Sequence, residues 1–539
     1  MNISDSVKLA LLNIMKEGIT DVEVFTRPFE LDYLKDKSTF DFIRQLAVER
    51  ITKAIYIIKN GKSPFKALKE LKLHNCKSIL VPKKSLFDFR KCGYIDPVDE
   101  VIYLALCIMI SNKIETSRIH KKSNIVYSYR LKPNLINMNK PFYLFDLNSN
   151  YTKFRNDTLK KAKNKNIRVI INCDIGNFYD RLNLHRLENT LLAVKDIDIS
   201  VVKLLNELLL YWSNRDSYGL PVGSNGSRIL AEASLIDVDK YLLKKKIDFA
   251  RYVDDYRLFA KDAKQAHIWL SILVERLNRE GLFLNTSKTS IIESNKVIRT
   301  THIREQEKDE DQEMKKNDLP QIIRGYSGLI PTKFRKLSNR EIENLRKENI
   351  ESIKEKIDID LIDPKDLLRF LRIIVANEKW KELAEASTIL KRFPQFIPYY
   401  LDCIIKNKEK LIDFKDDIIP NCIEISNDEN TLEYLRIYIV RFLSSEGFIS
   451  KDTVVNNYHQ LKRSEGVYLG RAVLECLNDI IERDDLLEIK NGFHRADPFE
   501  KRQILNLLKN NFNSNEFSAF YKNISLNEED PWYEIISKQ

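Results

Sequence analysis

Two runs rich in β-branched and aromatic residues, RVIINCDI (168–175) and FARYVDDYRLFA (249–260), constrain this chain more than any other feature. That composition suits a pleated, half-buried strand. The second run is broken by Asp254 and Asp255, so it reads as a tight hairpin with two adjacent carboxylates at its tip. In the first, Val169, Ile170 and Ile171 make a buried-strand signal that Asp174 closes. An acid at the end of a buried strand is where an α/β sheet places its chemistry. Taken alone, the Asp pair reads as a solvated turn, where Asp is common. Three carboxylates together are what two divalent cations, roughly 3.5–4 Å apart, require for in-line phosphoryl transfer. Hard oxygen ligands suit Mg²⁺, and its charge offsets the repulsion between neighbouring acids.

The remainder of the chain changes texture twice. Residues 1–80 read as a helical, lysine-rich extension, with FDFIRQLAVERITKAIYIIKNG apolar at helical spacing and stopped by Gly61. From 81 to 300 short strands alternate with helices such as KQAHIWLSILVERLNREG; THIREQEKDEDQEMKKND (301–318) is polar throughout and reads as an exposed linker. Beyond 340 amphipathic helices follow one another with short turns, which suggests stacked helical pairs or a plain bundle. Asp-Pro recurs at 96–97, 363–364, 497–498 and 530–531, a helix start with Asp as N-cap and Pro at the first helical position. Glu500, three residues after Asp497, is placed to complete a capping box.

At 539 residues the chain has length for two to four domains. No run approaches the ~20 apolar residues of a membrane span, and MNISDSVKLALLNIMKEG lacks the order of a signal peptide. Seven dispersed cysteines without a CxxC pair argue for a reducing cytoplasm and against a disulfide framework or zinc site. No HExxH and no Gly-rich phosphate loop is present, which sets aside zincin and P-loop chemistry. The net charge of +11 favours a polyanionic partner. Its lysines gather at 59–84 and at 160–168, although such faces are often only solubilising.

With these motifs in hand, the chain resembles the reverse transcriptases. YVDD (252–255) is similar to the Tyr-x-Asp-Asp signature; Asp174 followed by Phe178, Tyr179 and Asp180 resembles the first palm motif. GLPVGSNGSRILAEASL (219–235) resembles the following Gly-x-Pro-Gln-Gly-Ser motif, GLFLNTSKT (281–289) the stretch ending in lysine, and VYSYRL (126–131) the fingers strand. The resemblance covers about 81–330 and implies an α+β fold. Fingers (81–170) and palm (171–300) are followed by a polar connection (301–340) and an all-α, HEAT-like helical-repeat domain (341–539).

Residue by residue, the resemblance implies that Asp174 and Asp254 ligate two Mg²⁺ ions, with Asp255 completing the site or orienting it, a site Mn²⁺ can also occupy. Lys288 would approach the leaving pyrophosphate. Tyr179, beside Phe178, would be the steric gate against a ribose 2′-OH, Arg130 would pair with triphosphate oxygens, and Gly219, Pro221 and Gly223 would shape the nucleotide's backing turn. Two departures stand out: Val222 replaces the usual glutamine, and Ser227-Arg228 the usual Ser-Pro. With FPQFIPYYLDCII (393–405), they resemble the bacterial abortive-infection and other defence-associated reverse transcriptases. That group implies dNTP substrates, a single-stranded DNA product, self-assembly, antiphage defence, and either protein-primed, template-independent synthesis or copying of a noncoding RNA. An RNA-templated enzyme of a mobile element and a catalytically dead nucleic-acid-binding scaffold are the alternatives.

Overall fold

Six strands lie among the described residues: β1 (Lys77–Pro82), β2 (Phe89–Tyr94), β3 (Val169–Asp174), β4 (Phe249–Tyr252), β5 (Asp255–Ala260) and β6 (Ser290–Glu293). The computed structural model describes residues 1–83, 88–296, 331–348, 350–351, 364–428, 430–461, 468–525 and 530–538. The linker expected at 301–318 lies outside them. The chain divides into two compact units, Met1–Cys76 with Gly93–Gly325, and Lys77–Cys92 with Tyr326–Gln539.

In the first unit β4, β5, β3 and β6 form one sheet in that order, every neighbouring pair antiparallel. The expectation drawn from α/β sheets therefore holds for the acid's position but not for its reason. Asp174 ends a strand of an antiparallel sheet, opposite Asp255 in the β3–β5 register. Side chains alternate across the pleat, so Ile170, Asn172 and Asp174 share a face. On that face Ile170 and Phe259 pack with Phe154 and Ala162 of the Tyr151–Ala162 helix. Ile171 and Leu258, cross-strand partners on the opposite face, are fully buried.

The helix Pro97–Ser117 runs through the core of this unit, buried around almost its whole circumference. It packs against the helices Ile3–Glu17, Ile199–Trp212 and Asn225–Ser234. The expected fingers strand at 126–131 does not form. Val126 makes one isolated bridge to Arg251, and Tyr129 takes a left-handed φ of 43° that ends the extended run. A β-rich composition is overridden here by the burial of Ser128 and Arg130.

The second unit is helical apart from the β1–β2 ladder. Alternate helices stack in a row: Ile397–Lys406 on Glu433–Leu443, that on Leu469–Leu477, then Pro498–Asn511, then Pro531–Lys538. Of the four Asp-Pro starts, Asp363 lies outside the described residues; the other three cap as expected. Asp96 accepts from Val98 N (2.9 Å), Asp497 from Phe499 N (2.7 Å) and Asp530 from Trp532 N (2.8 Å). The capping box at Asp497 is only half made. Glu500 is buried instead, against Gly470 and accepting from the Tyr458 hydroxyl (3.3 Å), because interior packing claims its carboxylate. Lys77, one of the lysines gathered at 59–84, lies over the Phe499 ring at 4.6 Å and pairs with Asp497.

Candidate active site

The hairpin of β4 and β5 closes through a two-residue turn, Val253-Asp254. Val253 has φ 54°, a genuine outlier for a β-branched residue. Such strain costs on the order of 1–3 kcal/mol and persists only when its surroundings over-determine it. Here they do. Val253 N donates to Ser128 Oγ (2.9 Å), and its carbonyl accepts from Arg251 Nη1 (2.9 Å). Arg251 is in turn fully buried and gripped by Asp239 (2.6 and 2.9 Å) and Glu232 (3.0 Å). Arg118 donates to the same Glu232 (2.6 Å), so two guanidiniums and two carboxylates satisfy one another beneath the turn.

This clamp presents the acids. Asp174 and Asp255 are directly opposed across β3 and β5 and face the same side of the sheet. The turn holding Asp254 is tied to them by Ile175 N donating to Asp254 O (3.1 Å). Burial and the Asp174 carboxylate push the Asp255 carboxyl up to about 6, opposed by Arg257 and Lys288. Two like charges held together by the register are a site that a cation relieves. Lys288 Nζ already answers that demand, 3.2 Å from Asp174 Oδ2. Its placement follows from the 281–289 stretch, where Gly176 N bonds Phe283 O (2.8 Å) and Asn285 N bonds Asp174 O (2.7 Å).

Phe178 and Tyr179 lie buried on a single helical turn, Phe178–Arg181, just past β3. Leu220 N donates to Tyr179 O (3.0 Å) and Gly219 N to Leu182 O (2.9 Å), so the first motif carries the second. Gly223 is required by two facts: its φ is 118°, and a Cβ there would lie 2.1 Å from Thr20 Oγ1. Val222 is buried, its carbonyl accepting from Gly93 N (3.2 Å), so the position that departs from glutamine is an interior one.

Arg130 is not brought to the site. Its guanidinium is 1% exposed and donates to Val126 O (3.0 Å), Ile119 O (2.6 Å) and Glu115 (3.0 Å), so the expected pairing with triphosphate oxygens has no free donor face. Arg228 is instead a cation near Tyr252 of the hairpin, in addition to Lys288 and Arg257 near Asp255. It lies over the Tyr129 ring at 5.3 Å, donates to Asn225 Oδ1 (2.6 Å) and pairs with Asp21. Arg251, Ser128, Glu232 and Tyr129 escaped the sequence reading because their partners lie far away along the chain. The charge of Arg251, inside an otherwise apolar strand, was the one available signal.

Among the described residues, the three side chains whose potential ligand atoms all lie within 4.8 Å of one another are His74, Asp96 and Asp99; Asp174, Asp254 and Asp255 do not form such a group. Asp96 caps the Pro97–Ser117 helix and Asp99 Oδ2 accepts from His74 N (2.6 Å), so both carboxylates serve helix-start and backbone bonds. All seven cysteines are unbridged. No helix of the described residues is long and apolar enough to cross a membrane.

Residues 114–318 match the family model described as reverse transcriptase (RNA-dependent DNA polymerase). That match spans less than half of the chain. Solved structures similar to it include telomerase from Candida albicans in complex with a TWJ fragment of telomeric RNA, at 14% identity and TM-score 0.28, covering 74% of this chain and 66% of that one. Telomerase from Candida tropicalis in complex with a TWJ fragment of telomeric RNA shows 12% identity, TM-score 0.27 and coverages of 81% and 64%. The apo telomerase from Candida tropicalis gives 12%, 0.28, 83% and 69%. The chain spans about two thirds of the length of these telomerases. No curated protein matches it in sequence.

Proposed function

We propose that this chain is a DNA polymerase of reverse-transcriptase type that adds dNTPs and acts in bacterial antiphage defence. The observation that carries the reading is the directly opposed pair Asp174 and Asp255, joined by Asp254 from a strained and clamped turn, with Lys288 beside Asp174. The three carboxylates would hold two Mg²⁺ ions, which activate the attacking hydroxyl and stabilise the leaving oxygen when bound. Lys288, more than half exposed, is free to follow the departing pyrophosphate. Tyr179, walled in beside Phe178, acts as the sugar gate, so deoxynucleotides are the substrates.

The defence role, self-assembly and priming on a protein hydroxyl rest on the motif order, the altered second motif and the helical second half. Phosphoryl transfer asks only that a nucleophile be held in line, so a protein hydroxyl suffices in principle. The test incubates purified protein with Mg²⁺ and labelled dNTPs, with and without an RNA template, and resolves products on a denaturing gel before and after protease. Label that migrates with protein and shifts on proteolysis supports protein priming. Free DNA made only with template and primer assigns RNA-templated synthesis instead. Folded Asp254→Asn protein is expected to lose incorporation at least a hundredfold; wild-type incorporation would remove the catalytic assignment.

A further inference from the structure

At the end of the second unit the structure carries a cavity of about 390 Å³. That lies within the ~300–1,000 Å³ range of ligand pockets. The helix Ser514–Ser525 supplies one wall, with Phe517 and Tyr521 a helical turn apart on the same face and their rings parallel to within 13° at 6.1 Å. Phe512, in the connection before that helix, supplies another ring, and Ser518 a hydroxyl. Two lysines complete the lining. Lys509 reaches in from the Pro498–Asn511 helix, over Phe517 at 5.2 Å and 3.5 Å from Ser537 O, and Lys522 stands one residue past Tyr521.

The surroundings repeat the same chemistry. Lys490 Nζ lies 5.8 Å from both the Phe512 and Phe520 rings, and Arg483, paired with Glu516, lies 5.5 Å from Phe512. Aromatic faces interleaved with cations are what a single-stranded nucleic acid binds. Each base offers a π-face to a ring and each phosphate a charge to a lysine, with little dependence on sequence. An acidic peptide would use the lysines but leave the half-buried Phe512 and Tyr521 rings unused.

We infer that this cavity binds one or two nucleotides of a single-stranded nucleic acid, bases stacked on Tyr521 and Phe512 and phosphates taken by Lys509 and Lys522. The inference does not depend on the polymerase reading. It is tested on the full chain carrying Asp254→Asn, so that binding is measured without synthesis. A 12-nucleotide oligodeoxythymidylate bearing 5-iodouracil is irradiated with the protein and the adducts mapped by mass spectrometry; adducts on Phe512 or Tyr521 are expected. By fluorescence anisotropy, Lys509→Gln with Lys522→Gln should weaken binding about tenfold. It should also flatten the slope of log affinity against log salt by about 1.4, at ~0.7 for each single-strand phosphate no longer neutralised. Lys522→Gln alone, at an exposed position, should give about half that change in slope. Adducts confined to residues 93–325, or affinity within twofold and an unchanged slope in both variants, overturn the inference. Free dTMP competing as well as the oligonucleotide also overturns it, because the cavity would then hold a mononucleotide rather than a strand.

Discussion

Arg251 shows how far a single buried charge governs the site. Its guanidinium touches Glu232, Asp239 and the carbonyl of Val253, and no part of it reaches solvent. Replacing it by Met would leave two buried carboxylates facing each other across the vacated space, with Glu232 keeping only Arg118 and Ser128. Removing one partner of a buried ion pair costs about 3–5 kcal/mol. The strained turn would lose one of its two holds as well. Arg251→Met is expected to lower the unfolding free energy by that amount and to reduce incorporation, read by chemical denaturation and dNTP incorporation on the same preparation. A second residue sets a pH dependence. Burial pushes the Glu100 carboxyl up to about 8, only partly opposed by the Ser224 hydroxyl that donates to it (2.7 Å). The folded state therefore keeps a proton on Glu100 at pH values where the unfolded chain, titrating near 4.5, has lost it. Stability must fall as pH rises between those two values and level off above them. Glu100→Gln keeps an oxygen acceptor for Ser224 and removes the titration. Thermal melts from pH 5 to 8 are expected to show the wild type losing a few kcal/mol and the variant a shallower slope. Part of the slope that remains in the variant belongs to buried Asp99, raised by burial and by Asp96, and part to Asp255, raised by burial and by Asp174.

Elements were legible where a period or a cap carried them. β3, β4 and β5 follow from their β-branched and aromatic composition, and the three visible Asp-Pro helix starts follow from the chemistry of one dipeptide. The three acids were legible as residue types at strand ends, Tyr179 and Lys288 only through the resemblance, and the strand register explains why Asp174 and Asp255 meet. VYSYRL was misread because propensity cannot show that Tyr129 turns left-handed or that Arg130 is consumed inside. The helix Asn225–Ser234 separates these two kinds of information in one position. Gly226 lies within it, where alanine ordinarily gains about 1 kcal/mol of helix propensity. A Cβ at Gly226, however, would lie 2.7 Å from the Tyr103 ring, itself fully buried and bonded to Ser227 Oγ (3.1 Å). Overpacking a closed core costs about 1–3 kcal/mol, so the packing term exceeds the propensity term. Gly226→Ala is expected to destabilise the protein by up to about 2 kcal/mol in urea denaturation. A stabilised variant would mean that Tyr103 has room to move.

At the scale of the whole molecule, the composition shift near residue 340 foretold a helical second half, but no signal marked residues 77–92 as part of it. Their strands are short and ordinary in composition. What places them is long-range packing: β1 lies against the Glu433–Leu443 helix, and Lys77 is held by Asp497 and Phe499. Chain order therefore misleads about where the first unit ends, and a truncation tests this directly. A protein cut after residue 340 keeps every motif of the polymerase site but strips β1 and β2 of the helices that cover them. An uncovered two-stranded ladder is marginal in water and offers unpaired edges. The excursion's two ends nevertheless meet, since a Cβ on Gly93 would lie 3.4 Å from Cys76 Sγ. A short Gly-Ser linker can thus replace 77–92 without stretching the chain. The 1–340 fragment is expected to aggregate and to be cut by protease within 77–92. The same fragment with the linker is expected to elute as a well-behaved species on size exclusion. If the two fragments are equally soluble and equally resistant, the ladder stands without the C-terminal helices, and the division at residues 77 and 92 has no energetic meaning.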